Sequence, residues 1–180
     1  MKGIVFTEFL EFAAQSWGED MVDDVIEDCN FDHGGAYTAV GSYSHEELAL
    51  IGSALSRRSE VEVPEILRGF GRHLGHRFAT LFPAFFERES FFSFLDSIQN
   101  HIHVEVRKLY PDAELPTFHT LSMDEERMVL EYRSSRHLQS LAEGLILGTA
   151  DVFGRQVEVE TKSHNGATGE VVTFQVGLMQ

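Results

Sequence analysis

The chain has 180 residues, 43% of them hydrophobic, and a formal net charge of −15, so it can bury one real core while its acidic surface repels polyanions. That balance argues against general nucleic-acid binding and against docking on anionic membranes. Cys29 is the only cysteine, which excludes an intramolecular disulfide and a Cys-rich zinc site and makes a reducing cytoplasm the expected compartment.

The opening MKGIVFTEFLEF carries Glu8 and Glu11 in its apolar stretch and lacks a small-residue cleavage site, so it does not read as a signal peptide. Nor does any window read as a membrane span. Phe6, Phe9, Leu10, Ala13 and Trp17, then Val22, Val25 and Ile26, keep helical spacing up to a break at Gly34 and Gly35. Ser44 followed by Glu47 predicts a capping box, opening a helix through Leu48, Ile51 and Leu55. Pro64 suits the first turn of the next helix, whose apolar face runs Ile66, Phe70, Leu74, Phe78 and Leu81 until Pro83 ends it. A further helix from about Ser90 shows Phe91, Leu95, Ile98, Ile102, Val106 and Leu109, and Pro111 stops it. After Pro116 the period changes. TFHTLS and RMVLEYRS read as strands joined by an acidic turn from Asp124 to Glu126, and HLQSLAEGLILGTADVF reads as one helix. The last segment is a hairpin: Val157 and Val159 alternate, Asn165 and Gly166 turn, and Val172, Phe174 and Val176 return. No internal repeat or low-complexity linker interrupts the chain. The expected class is α+β, a helical N-terminal part and a C-terminal part of antiparallel sheet and helices around one core.

Three groups of residues invite a chemical reading. His101 and His103 stand two apart, which on a helix turns them about 200° from one another, so they cannot share an ion and at most one looks inward. His103 flanks the stripe of Ile98, Ile102 and Val106 and is the better inward candidate; helical spacing leaves open whether it ligates a metal or bonds a carbonyl at the edge of the core. His73 and His76, three apart, share a face, yet no acidic or histidine partner stands at a helpful spacing. Tyr132, Ser134 and Arg136 alternate, so an extended chain would present two hydroxyls and a guanidinium on one side, a set suited to carboxylates. The alternative is that a serine caps the next helix and Arg136 meets a surface glutamate. One inward histidine, one carboxylate-binding cluster and 15 phenylalanines together describe a pocket for haem, whose iron takes an axial histidine and whose propionates need donors.

With these residues in view, the chain resembles the H-NOX family, the haem nitric oxide/oxygen binding domains of soluble guanylate cyclase and of stand-alone bacterial sensors. The resemblance covers essentially the whole chain, from MKGIV onward. It implies a single domain over 1–180, with a helical part over about 1–62, and the haem-ligating helices and antiparallel sheet over about 63–180. In the family the proximal histidine lies seven residues before a Tyr-Pro turn, which here selects His103 ahead of Tyr110 and Pro111. The family's Y-x-S-x-R propionate motif stands as Tyr132, Ser134 and Arg136, and the proline that distorts the porphyrin matches Pro116.

The resemblance further implies haem b (protoporphyrin IX iron) as cofactor and Val5, Phe9, Leu74, Phe78, Leu141 and Leu145 as distal walls. Oxygen-binding members place a tyrosine where Leu141 stands. Bound O₂ depends on such a donor more than NO or CO does, so a sensor of NO and CO that excludes O₂ is implied. Some bacterial relatives carry a Cys/His zinc site near the C-terminal hairpin; with no cysteine after Cys29, His164 has no such partners. No kinase or cyclase segment follows Gln180, so the expected output is regulation in trans of a signalling histidine kinase or of a diguanylate cyclase/phosphodiesterase. Two rivals come from other classes. A non-haem metal hydrolase using His73, His76 and His101 predicts a colourless metalloprotein, and a cofactor-free adaptor acting through its acidic face predicts no cofactor.

Overall fold

Gly18 adopts φ 92°, a conformation that strains any residue with a Cβ, and it separates α1 (Gly3–Trp17) from α2 (Glu19–Cys29). The computed structural model describes residues 1–166 and 169–179, except the side chains of 165, 166, 169 and 170. It divides into two compact units, Met1–Phe70 and Gly71–Gln180. The first unit holds α1, α2, α3 (His45–Ser59) and the opening turns of α4 (Val63–Leu81), with Pro64 in the first turn. Its core includes Phe6, Phe9, Leu48, Ile51, Leu55, Ile66 and Phe70, with Phe9 and Phe70 in ring contact at 4.7 Å. The capping box expected at Ser44 forms in part, since the Glu47 carboxylate meets the Ser44 backbone while the Ser44 hydroxyl caps a different amide. Ser44 Oγ accepts from the Glu46 amide at 3.2 Å, while the Glu47 carboxylate accepts from Tyr37 at 2.7 Å and pairs with His33 at 2.9 Å. Tertiary partners share this carboxylate with the local motif because Tyr37, stacked on Phe6 at 4.6 Å, needs an acceptor for its half-buried hydroxyl.

The second unit begins with the rest of α4. Pro83 does more than end that helix: it is the first residue of the short α5 (Pro83–Phe86). The single helix expected from Ser90 to Leu109 is α6 (Phe91–Ser97), a π turn (Ile98–Ile102) and α7 (His103–Leu109) in direct succession. A reciprocal cap opens it, with Ser90 Oγ accepting from the Ser93 amide at 3.1 Å and Ser93 Oγ from the Ser90 amide at 3.0 Å. The sheet has the order β1-β2-β4-β3, antiparallel throughout, from β1 (Thr117–Met123), β2 (Arg127–Arg133), β3 (Val157–Gly166) and β4 (Gly169–Leu178). Asp124 closes the β1–β2 turn by accepting from the amides of Glu126 and Arg127 at 2.9 and 2.8 Å. Asn165 and Gly166, expected to turn, are strand residues opposite Glu170 and Gly169; the connection at 167–168 lies outside the described residues.

The buried face of the sheet is Met128, Leu130 and Tyr132 of β2 with Val172, Phe174 and Val176 of β4. Phe91, Phe92, Phe94 and Leu95 of α6 pack on it, as do Ala142, Ile146 and Ala150 of α8 (Gln139–Val152). Within this unit α4 and α8 touch backbone to backbone. A Cβ at Gly71 would collide with the Leu141 carbonyl, and one at Gly148 with the Arg72 carbonyl.

Candidate functional site

The π turn positions the site's central residue. Its extra residue per turn is marked by the His103 amide bonding back to the Ile98 carbonyl, and such insertions are frequent at functional positions. His103 is 9% exposed, whereas His101 lies on the surface, its ring 6.5 Å from Phe85. Burial, with Arg107 adding a like charge, lowers the His103 pKa to about 4, so the ring is neutral at pH 7 and keeps a lone pair for a ligand. Its Nδ1 is buried without a hydrogen-bond partner among the described residues. A neutral, buried imidazole with unspent hydrogen-bonding capacity fits the axial position of a haem iron.

From His103 an aromatic path leads to the second part of the site. The Phe118 ring lies 5.9 Å from His103 and 5.2 Å from Tyr132, which in turn lies 5.7 Å from Phe174. The β1–β2 register sets Phe118 opposite Tyr132. Phe118 was not among the residues singled out from sequence; a signal did exist, since an aromatic two residues after Pro116 begins the strand that must pair with the Y-x-S-x-R segment.

Tyr132 is buried, and burial pushes its phenol above the ordinary range, leaving it a neutral donor in contact with the Ser134 hydroxyl. The triplet does not alternate along one strand as expected. β2 ends at Arg133, and a turn in which Ser134 Oγ accepts from the Arg136 amide at 3.2 Å swings Arg136 back. Its guanidinium, 13% exposed at the side chain, donates to Glu114 at 3.0 Å, a carboxylate that is itself 82% exposed. The cluster therefore has carboxylate-binding geometry, and propionates fit its donors. Pro116 is half-buried immediately before the first β1–β2 pair, Thr117 with Arg133.

The remaining expected residues divide between the units. Val5 and Phe9 lie on α1 in the first unit, where Phe9 is fully buried against Phe70. Leu74 and Phe78 lie on α4, and Leu141 and Leu145 on α8, in the second; none of the six side chains carries a donor. The histidines proposed for a hydrolase do not converge. His76 pairs with Asp151 at 3.1 Å beside the Arg72 fork on the same carboxylate at 2.6 and 2.9 Å, and among the described residues no group of three or more His, Cys, Asp or Glu could hold a metal. His164 stands in β3 opposite Val171.

A model of the Haem-NO-binding family matches residues 2–161. The chain belongs to that family. An H-NOX protein from K. algicida in the unliganded Fe(II) state is 32% identical, with a TM-score of 0.92 over 100% of this chain and 97% of that one. The fold is shared with an H-NOX protein from S. oneidensis in the Fe(II)NO state, at 24% identity and a TM-score of 0.90 over 100% of both chains. It is shared also with an oxygen-binding H-NOX domain related to soluble guanylate cyclases, at 21% identity and a TM-score of 0.84 over 100% of this chain and 96% of that one. No curated protein sequence gives a significant match. The family assigns the chain as an H-NOX haem-binding gas-sensor domain, and no helix among the described residues is long and apolar enough to cross a membrane.

Proposed function

We propose that this H-NOX domain senses NO, binds CO as well, and excludes O₂, using haem b held by His103. The carrying observation is the buried, neutral His103 imidazole with its unpartnered Nδ1. Tyr132, Ser134 and Arg136 would hold the propionates, Arg136 exchanging Glu114 for a propionate at similar charge, and Pro116 would bear on the macrocycle. Val5, Phe9, Leu74, Phe78, Leu141 and Leu145 would line the gas side, with Leu141 offering no hydrogen bond to bound O₂. The reading takes the whole chain as one haem domain, about 1–62 helical and about 63–180 carrying the ligating helices and sheet.

Haem held by His103 would supply a ferrous iron able to bind NO, and NO binding would loosen the hold of that iron on the histidine. His103 would then leave its place and free α7 as far as Leu109, so ligand binding biases a two-state element of this chain. The output would be regulation of a separate cytoplasmic histidine kinase or a diguanylate cyclase/phosphodiesterase, not catalysis by the domain.

The test is an absorption spectrum of the reduced protein, taken anaerobically, under NO and in air. A five-coordinate nitrosyl band with NO and no stable oxy complex in air is expected. A stable oxy complex would overturn the role given to Leu141, and absence of a haem band after reconstitution would overturn the whole reading.

A further inference from the structure

The helix that carries His103 is tied to β1 by two side chains that the haem reading does not use. Asp96 Oδ1 accepts from the Thr120 hydroxyl at 2.6 Å, and Gln99 Oε1 accepts from the Phe118 amide at 3.1 Å. The His103 ring lies 5.9 Å from that of Phe118, so Asp96, Gln99 and His103 all meet β1, Gln99 and His103 from the π turn and its end. Among the described residues β1 is an edge strand, paired only with β2, and the Phe118 amide points outside that ladder. Gln99 thus supplies the acceptor that a neighbouring strand would otherwise provide. It does so at the residue whose ring touches both the imidazole and Tyr132.

We propose that Gln99 is a positioning residue for His103: its carbonyl seats the Phe118 backbone and so keeps the Phe118 ring between the His103 and Tyr132 rings. The inference rests on His103 being the axial ligand. It adds a mechanical link, because a displacement of the π turn carries Gln99 with it and pulls on Phe118, which packs against the first residue of the propionate-binding triplet. The histidine and the Tyr132 cluster therefore move together.

The full-length protein with haem is compared as wild type, Gln99→Ala and Gln99→Glu; the glutamate keeps an acceptor at the same place. In Gln99→Ala the Phe118 amide should exchange hydrogen about tenfold faster. The iron–histidine stretching band of the reduced protein should shift and broaden at unchanged haem content, and Gln99→Glu should restore both. Wild-type exchange at Phe118 in Gln99→Ala, or faster exchange with an unmoved band, overturns the proposal. If Gln99→Ala does not fold, Gln99→Leu, which fills the same space without an acceptor, gives the same comparison. If the wild type itself shows no iron–histidine band, ligation by His103 falls. Gln99 is then judged by the His103–Phe118 ring contact in the NMR spectrum, where loss in Gln99→Ala supports it and persistence overturns it.

Discussion

His103 carries an acid sensitivity that follows from its burial. Its pKa is about 4 in the folded chain against an ordinary 6.5, so the unfolded chain binds a proton that the folded chain refuses. This contribution to stability is complete above pH 6.5 and is lost as pH falls from 6.5 towards 4, by on the order of 3 kcal/mol. Denaturant unfolding of the haem-free protein between pH 7 and 4.5 should show that loss, and His103→Leu should show much less of it. The paired carboxylates do not confuse the comparison. Arg72 holds Asp151, and hydrogen bonds from Tyr37 and His33 hold Glu47, below the usual carboxylate range, so their losses come at lower pH. A second variant tests the role: His103→Gly should bind ferrous haem poorly unless imidazole is added, and normal five-coordinate haem without imidazole would remove His103 from the site. The burial of His103 over His101 was legible in the sequence because the helical stripe and the Tyr-Pro spacing agree on it. Gln99 and Phe118 were not, because one amide hydrogen bond and a cross-strand register exist only once β1 has met the helix.

Among elements, the contact of α4 with α8 lets two kinds of interaction be ranked. The Arg72–Asp151 fork is well formed, but the Arg72 side chain is 58% exposed, so solvent screening limits the pair to about 1 kcal/mol or less. Gly148 instead lies against the Arg72 backbone, where nothing flexible can yield to a Cβ. Gly148→Ala must push the helices apart, at a cost of about 1–3 kcal/mol. Thermal unfolding should therefore place Gly148→Ala well below Asp151→Asn; the reverse order would show that the ion pair, not the close approach, holds the helices. Periodicity made the long helices legible, since apolar stripes at three and four residues survive any tertiary arrangement. The π turn left no such mark, because Ile98 and Ile102 fit an α-helix equally well. The Ser44 box was legible only in part for a related reason, its glutamate also serving Tyr37 and His33 from a loop that sequence spacing does not bring near.

For the molecule as a whole the governing quantity is charge. Even if each of the 14 Lys and Arg residues were paired, 15 of the 29 carboxylates would remain uncompensated, so net repulsion acts on the folded state. Exposed ion pairs pull the other way, but the Arg58 fork on Asp24 and Asp28 and the Lys108–Glu105 pair sit at the surface, where each contributes little. Screening should therefore favour the compact state. Salt at 0.15 M shortens the reach of these charges to about 8 Å, from about 30 Å at 0.01 M. The melting temperature at pH 7.5 is expected to rise between those concentrations. A fall would mean that the ion pairs outweigh the unpaired carboxylates and that the acidic surface is stabilised by its few cations. The same screening should leave the iron–histidine band unmoved, because His103 is buried and the Gln99 bond to the Phe118 amide joins two neutral groups, on which salt acts little.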